Sequence, residues 1–282
     1  MSGSSEESRM KETQFDRDIA LEPISPGHYG VSIADTWNVL IGPNGGYIAA
    51  IILKGMKDTL GDVQTRSVTF HFLSASLPGD ANLHVNVEKR GRSLSTCTAR
   101  LTQGDRTIAM CMATFASARE SFTFRDFNMP EVPDPEDVPL EQRMSPELVG
   151  HVPFRDHFDQ RLAIGPVPPT TDDEGRVGGW TRFTEHREFD DLAIVTISDS
   201  WFPGLFARNT PTPLHVPTVD HTVHFLTSAP IPSSGLNDFL LVDFTTSVAQ
   251  EGYLIENGKI WSSEGHLIAQ SRQLAVMLPR GD

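Results

Sequence analysis

The chain has 282 residues, 38% of them hydrophobic and 21% charged, a composition typical of soluble globular proteins. Its length is enough for about two domains of ordinary size. The formal net charge is −14, from 23 Lys and Arg against 37 Asp and Glu, and a negative field of this size argues against nucleic acid and anionic membrane surfaces as partners.

Several segments bear on where the protein resides. Met1–Thr13 is polar, lacks the apolar core of a signal peptide, and leads us to expect a disordered N-terminus over residues 1–14. The longest aliphatic run, Tyr47–Leu53, is far shorter than the ~20 residues that cross a bilayer, so no membrane span is predicted. Cys97 and Cys111 fall in strand-like runs, and two such cysteines favour reduced core residues. These features indicate a cytoplasmic protein.

The first half predicts a strand, a buried helix and an antiparallel meander. After a strand at His28–Ala34, Asn44 is a good N-cap for a helix that Gly61 ends, and apolar residues recur between them at helical spacing. Because this helix is apolar on most sides, it is expected to be buried. Turn sequences then separate four predicted strands: Arg66–Leu77, Asn82–Lys89, Leu94–Thr102 and Thr107–Ala116.

An acidic, proline-rich stretch, Ser121–Gly150, separates the two halves and is predicted to be a linker. In the second half, a helix is predicted over Asp190–Phe202, where a proline stops it. Asn257–Gly258 predicts a hairpin turn, and Glu264–Gly265 predicts a second turn. The strands of this half are predicted at Phe158–Ile164, Gly178–Thr184, Thr218–Ala229, Phe239–Ala249, Tyr253–Ile255, Lys259–Trp261 and His266–Met277.

The two halves repeat one order of elements. Val68–Ala75 and Thr222–Ala229 both contain His-Phe-Leu followed by a hydroxyl residue, and each follows the helix and precedes a meander. Gly104 and Gly265 occupy matching turns. The shared order indicates an internal duplication. The predicted organisation is a disordered N-terminus at 1–14, a first unit at 15–120, an acidic linker at 121–150 and a second unit at 151–282.

The repeat and its flanks resemble the acyl-CoA thioesterase II group of double hotdog thioesterases. Three segments carry the resemblance: the helix start Asn44–Tyr47, Thr218–Phe225 and Glu264–Gln273. The likeness spans most of the chain, Phe15–Ala118 and His151–Leu278. It implies an α+β double hotdog, in which two tandem units each wrap a long antiparallel sheet around a central helix. The two sheets are expected to form one continuous surface.

The resemblance also implies a site and a reaction. In that family an aspartate on the second helix, a threonine at the start of the next strand and a glutamine on the last strand hold the attacking water. These positions carry over to Asp199, Thr218 and Gln273. The implied function is hydrolysis of an acyl thioester, either an acyl-CoA or a carrier-bound acyl chain, with no cofactor and no metal.

The residues support this site on their own terms. On the predicted helix, Asp199 shares a face with apolar residues such as Val195 and Phe202, and a carboxylate there is costly unless it is paired. Thioester hydrolysis needs little more than a positioned, partly deprotonated water. Thr218 and Gln273 can hold that water by hydrogen bonding. The alternatives left open are a purely structural carboxylate at Asp199 and ordinary strand residues at the other two positions.

Backbone amides at the start of the first helix are predicted to bind a thioester oxygen or a phosphate. Simple helix capping is the alternative. A basic turn, Lys89–Arg92, is a weaker candidate for binding CoA phosphates, and His221 beside Asp220 is a weak candidate pair because adjacent strand residues point to opposite faces. The candidate binding residues at the helix start are Asn44, Gly45, Gly46 and Tyr47.

Two other function classes stay open. A hotdog hydratase or dehydratase of acyl thioesters would want a histidine near the helix start, and Asn44 has none nearby in sequence. A non-catalytic acyl-thioester-binding protein is the second alternative. The chain shows no Gly-x-Ser-x-Gly elbow, dinucleotide fingerprint or metal-spaced Cys/His cluster. Because fused hotdog units often pair again, a homo-oligomer is a further open alternative.

Overall fold

The computed structural model describes residues 12–61, 63–138, 151–166, 168, 170, 173–210, 214–231 and 238–279. Most of the predicted disordered N-terminus and residues 139–150 of the predicted linker lie outside this range. The first half contains helices α1 (Gln14–Asp18) and α2 (Gly45–Leu60) and strands β1 (Leu21–Ser25), β2 (His28–Ile33), β3 (Thr65–Phe72), β4 (Gly79–Lys89), β5 (Ser95–Gln103) and β6 (Arg106–Phe115).

The second half repeats the order of two strands, a central helix and four strands, with a shorter helix, no counterpart of α1 among its described residues and two additional short strands at Leu214–His215 and Leu278–Pro279. It contains β7 (Phe158–Ile164), β8 (Arg176–Phe183), helix α3 (Asp191–Ile197), β9 (Leu214–His215), β10 (Thr218–Phe225), β11 (Leu240–Gln250), β12 (Tyr253–Ser262), β13 (Leu267–Val276) and β14 (Leu278–Pro279). Among the described residues, no helix is both long enough and apolar enough to cross a membrane.

Within the described residues, twelve strands form one antiparallel sheet, and its two halves have the same strand order outward from the centre. Outward from the centre, the first half runs β3-β6-β5-β4-β2-β1 and the second runs β10-β13-β12-β11-β8-β7. The halves join where β3 pairs with β10, and the Thr69 and Thr222 hydroxyls meet there at 3.0 Å. This topology confirms the predicted double hotdog with one continuous sheet.

Helix α2 forms as its sequence predicts. The Asn44 side chain accepts a hydrogen bond from the Tyr47 amide at the N-terminus, and Gly61 ends the helix at a φ of +93°, a conformation that favours glycine. Its side chains from Tyr47 to Met56 are almost all buried, and they share one core with α3. Cys97 and Cys111 lie in that core as free thiols.

Helix α3 is shorter than predicted. It begins after the N-cap Asp190 but ends at Ile197, so Asp199 lies in the following turn and not on a helix face. The Ser198 and Ser200 hydroxyls bond back to backbone carbonyls of the last helical turn, at 2.7 and 2.9 Å. Short hydroxyl side chains of this kind compete with helix continuation, which accounts for the early end.

The predicted hairpin turn at Asn257–Gly258 is wrong, because both residues lie inside the continuous strand β12. The turn between β11 and β12 is at Glu251–Gly252, where φ is +53° and +81°. Gly258 serves packing instead: a Cβ there would lie 2.5 Å from the Phe244 ring and 2.3 Å from the Ser271 hydroxyl. The second predicted turn, at Glu264–Gly265, is confirmed.

The described part of the acidic proline-rich segment packs on the sheet face opposite the helices. The Trp180 indole donates to the Pro133 carbonyl at 2.9 Å, and the Phe127 ring meets Trp261 edge-on at 5.9 Å. The Arg125 guanidinium lies over the same Trp261 ring, 5.0 Å from its centre. These contacts build a second, smaller core outside the sheet of the second half.

Candidate active site

The central helices pack antiparallel, so the N-terminus of α2 meets the C-terminal end of α3. The contacts at this end converge on the Asp199 carboxylate. Its Oδ2 accepts hydrogen bonds from the Gly46 amide at 2.9 Å and from Asn44 Nδ2 at 3.2 Å. The Asn44 amide also donates to the Asp199 backbone carbonyl at 2.9 Å. The turn after α3 is thereby fixed against the start of α2.

The two glycines at the start of α2 make this approach feasible. A Cβ on Gly46 would lie 2.7 Å from the Thr196 carbonyl and 3.1 Å from Asp199 Cβ, and one on Gly45 would lie 2.9 Å from Asp199 Oδ2. Any larger residue would push the carboxylate away from the helix N-terminus. The Gly-Gly pair therefore has a steric role in the site, in addition to helix capping.

Gln273 and Thr218 complete a hydrogen-bonded chain. Gln273 Nε2 donates to Asp199 Oδ1 at 3.1 Å, and the Thr218 hydroxyl donates to Gln273 Oε1 at 2.9 Å. Because both ends of the amide are engaged, its orientation is fixed. Gln273 is 6% exposed, so its side chain faces inward. The three predicted catalytic residues are thus brought together from a turn and two strands.

Burial raises the pKa of Asp199 from its ordinary value of 3.8 to about 6, although the hydrogen bonds from Gln273, Gly46 and Asn44 oppose the shift. A carboxylate with this pKa is ionised at neutral pH and is a better proton acceptor than an exposed aspartate. The environment of Asp199 therefore suits a general base.

Asp199, Thr218 and Gln273 line a cavity of about 960 Å³ with a mainly apolar wall. The volume is at the upper end of the ~300–1,000 Å³ typical of small-molecule sites. Arg155 and Arg208 also line it, which places two basic side chains at the cavity of an acidic protein. The aromatic residues of the wall are Phe72, Phe154, Trp201, Phe202 and Phe206.

The four residues predicted to bind substrate have different surroundings. Asn44 and Gly45 line the cavity, whereas Gly46 and Tyr47 do not, and the amides of these last two are already bonded within the protein. The Tyr47 side chain is buried, its ring stacks on Trp37, and its hydroxyl donates to the Asp18 carbonyl. Of the four residues, only Asn44 and Gly45 are therefore available to a ligand in the cavity.

Two weaker candidates lie outside the site. His221 is buried against the Ser198 hydroxyl at 2.8 Å, and burial lowers its pKa to about 4, so the ring is neutral. Arg90 donates to the carbonyls of Thr59 and Leu60 and so caps the C-terminus of α2. Neither residue lines the cavity.

Sequence reasoning missed Glu256, a second buried carboxyl that lines the same cavity. Burial raises its pKa to about 7. The sequence predicted a hairpin turn at Asn257–Gly258, which placed Glu256 beside a solvent-exposed turn, where a glutamate is common. Had one continuous strand been predicted, the alternation with buried Leu254 would have placed Glu256 on the inner face.

Two family models match consecutive parts of the chain. The acyl-CoA thioesterase N-terminal domain matches residues 33–116, and the acyl-CoA thioesterase C-terminal domain matches residues 129–277. The chain belongs to the acyl-CoA thioesterase family. It is accordingly a thioester hydrolase, as the sequence predicted. No curated protein sequence matches this chain.

Solved structures share the fold over nearly the whole chain. A hotdog-fold protein of unknown function from Alicyclobacillus acidocaldarius has a TM-score of 0.84 at 23% identity, covering 95% of this chain and 98% of its own. A thioesterase II candidate from Thermobifida fusca gives 0.79 at 22%, covering 94% and 98%. Acyl-CoA thioesterase II TesB2 from Mycobacterium marinum gives 0.72 at 21%, covering 95% and 99%. These likenesses establish the double hotdog architecture.

Proposed function

We propose that this acyl-CoA thioesterase family member hydrolyses its acyl thioester by direct attack of a water molecule that Asp199, Gln273 and Thr218 position. The observation that carries the proposal is the hydrogen-bonded chain from Thr218 through Gln273 to Asp199 in the wall of an apolar cavity. A base, a fixed amide and an acyl-sized space are what this reaction requires.

In this mechanism the Asp199 carboxylate accepts a proton as the water oxygen attacks the thioester carbonyl carbon. The Gln273 amide and the Thr218 hydroxyl hold the water in line. The tetrahedral intermediate then expels the thiolate as the carbon–sulfur bond breaks. Protonated Asp199 returns its proton to the sulfur, and the products are a carboxylic acid and a thiol. The sulfur is a good leaving group, so no covalent acyl-enzyme is needed.

The Gly45 amide is the proposed donor to the carbonyl oxygen. It is the first amide of α2, where an N–H group has no partner within the helix, and Gly45 lines the cavity next to Asp199. The positive end of the helix dipole favours the negative charge that develops on this oxygen. The substrate-binding role predicted for Asn44–Tyr47 is therefore proposed for the Gly45 amide, with Asn44 holding the base.

Acyl-CoA or a carrier-bound acyl chain is the proposed substrate, and the cytoplasm is the proposed location. Arg155 and Arg208 at the cavity supply positive charge for a phosphate-bearing carrier despite the net charge of −14. The buried free thiols of Cys97 and Cys111 suit a reducing compartment. A hydratase would want a histidine at the start of α2, whereas His221 is buried beside Ser198 and the histidine that lines the cavity, His215, belongs to β9.

The test is thiol release from a panel of short, long and aromatic acyl-CoAs by the wild type and by Asp199→Asn. We expect turnover by the wild type and its loss in the variant, with the melting temperature measured to confirm folding. Enoyl absorbance that changes without thiol release would favour the hydratase. Binding of a CoA ester with no turnover by the wild type would favour the non-catalytic alternative.

A further inference from the structure

Glu256 is a buried carboxyl that the proposed mechanism does not use. It is 7% exposed, and its carboxyl accepts hydrogen bonds, among the described residues, only from the Gly204 amide at 2.5 Å and the Thr246 hydroxyl at 3.1 Å. No lysine, arginine or histidine of the described chain pairs with it. Burying a carboxyl without a cation is costly, and here burial raises the pKa to about 7. A group kept at such a cost in a cavity wall is a functional candidate.

The two protein contacts leave one oxygen of this carboxyl free. The Gly204 amide and the Thr246 hydroxyl both donate to Oε2, and none of the described residues donates to Oε1. Oε1 is not fully buried, so it retains accessible surface. Glu256 lines the same cavity as Asp199 and Gln273. The Oε2 contacts fix the carboxyl and present Oε1 to a ligand.

The sheet register gives the position of Glu256 relative to the proposed catalytic residues. Glu256 on β12 is directly opposite Gln273 on β13, and both side chains are buried on the inner face. Directly opposite residues of antiparallel strands have Cα atoms about 4.5–5.5 Å apart. Glu256 is thus one strand away from the Gln273 amide, which contacts Asp199. A separation of one strand corresponds to a few bonds along an acyl chain.

We propose that Glu256 Oε1 is a specificity site that hydrogen-bonds a hydroxyl group carried by the acyl chain close to the thioester carbonyl. The inference rests on the proposed hydrolysis and adds the substrate class, hydroxyacyl thioesters. A hydroxyl donates to the ionised carboxyl and accepts from the protonated one, so it satisfies Oε1 in both states. An unsubstituted alkyl chain would displace water from Oε1 and leave it without a partner, which is unfavourable.

The experiment compares kcat/KM for a 3-hydroxyacyl-CoA and the unsubstituted acyl-CoA of equal chain length. We expect the wild type to prefer the hydroxylated substrate about tenfold, the effect of one hydrogen bond in a buried site. Glu256→Met, similar in size but unable to hydrogen-bond well, should bring the ratio close to one. Glu256→Gln retains a polar group and should keep most of the preference. Because each ratio is taken within one variant, loss of active enzyme cancels.

Glu264 is the matched control, since it is an exposed glutamate on a turn of the same half, with a side chain 56% exposed. Glu264→Met should leave the ratio at the wild-type value. If Glu256→Met does not fold, Glu256→Ala supplies the same ratio. A wild type without the preference, or a preference that survives in Glu256→Met or Glu256→Ala, overturns the inference while hydrolysis stands. Absence of thiol release from every ester would instead overturn the proposed function.

Discussion

The two ends of the central helix pair have the same scaffold but different chemistry. At one end, Asp199 after α3 meets the start of α2 and the Gln273 amide. At the other end, Asp191 at the start of α3 meets the last turn of α2, where Lys57 Nζ lies 2.5 Å from its carboxylate. The Thr65 hydroxyl donates to Asp191 at 2.6 Å. Each end thus has an aspartate and a threonine hydroxyl from the first residue of a central strand.

The difference lies in what surrounds each carboxylate. In the sheet register, Ala113 on β6 occupies the position that Gln273 occupies on β13, so the Asp191 end lacks the amide. Lys57 neutralises Asp191, which is 1% exposed and does not line the cavity. The duplicated fold therefore uses one end as a closed ion pair and the other as an open site. Both ends have the same scaffold, and the neighbouring side chains decide which end can receive a substrate.

The largest expected effect separates the two aspartates by activity. Asp199→Asn should lower kcat by about 10²–10⁴-fold, because the general base is lost while the shape is kept. Asp191→Asn should leave kcat within about threefold of the wild type, since Asp191 does not reach the cavity. Steady-state thiol release measures both. Equal losses in the two variants would mean that the ends are not specialised as described.

The second-largest expected effect is on the free energy of unfolding, at the Asp191 end of the helix pair. Lys57→Met leaves the Asp191 carboxylate buried without its cation, and we expect the free energy of unfolding to fall by about 3 kcal/mol. Urea denaturation monitored by tryptophan fluorescence measures this. Lys54→Met is the matched control, because Lys54 pairs with Asp58 on the helix surface and should cost less than about 1 kcal/mol. Similar midpoints for the two variants would contradict a structural role for Asp191.

The pH dependence sharpens the contrast further. Since the pKa of Asp199 is raised to about 6, kcat should fall about tenfold per unit as pH drops below 6. The free energy of unfolding should change in the opposite direction. The folded protein binds the Asp199 proton more tightly than the unfolded chain does, because the pKa is higher in the folded state. Asp199 therefore adds stability as pH falls from above 6 to about 4. A pH–rate profile and melting temperatures over the same range test both. A rate unchanged down to pH 4.5 would exclude Asp199 as the base.

The smallest effect compares the two threonines. Thr218→Val removes the hydroxyl that orients the Gln273 amide and should lower kcat about tenfold, the effect of one hydrogen bond. Thr65→Val removes the matching hydroxyl at the Asp191 end and should lower the unfolding free energy by about 1–2 kcal/mol without changing kcat. Thiol release and denaturation curves together decide. A loss of kcat only in Thr65→Val would reverse the assignment of the ends.

The amino-acid sequence by itself determined the architecture and the central helix. Asn44, Gly61 and the apolar residues between them specify α2 through capping and periodicity, which are local properties. The repeated order of strands specified two like units, because matching patterns in one chain bury matching faces. The choice of Asp199, Thr218 and Gln273 came from the family resemblance, since periodicity left the face of Gln273 open.

Tertiary structure decided what depends on contacts between distant segments. Asn257–Gly258 has the composition of a turn, but Phe244 covers Gly258 from the neighbouring strand, and cross-strand packing overrode local preference. The burial of Glu256 likewise follows from long-range neighbours, whereas the early end of α3 follows from the local hydroxyl contacts of Ser198 and Ser200. The charge of each carboxyl depends on its surroundings in space: Asp191 has a lysine nearby, whereas Asp199 has amides and a cavity. Sequence separation conceals such neighbours, and only the folded chain brings them together.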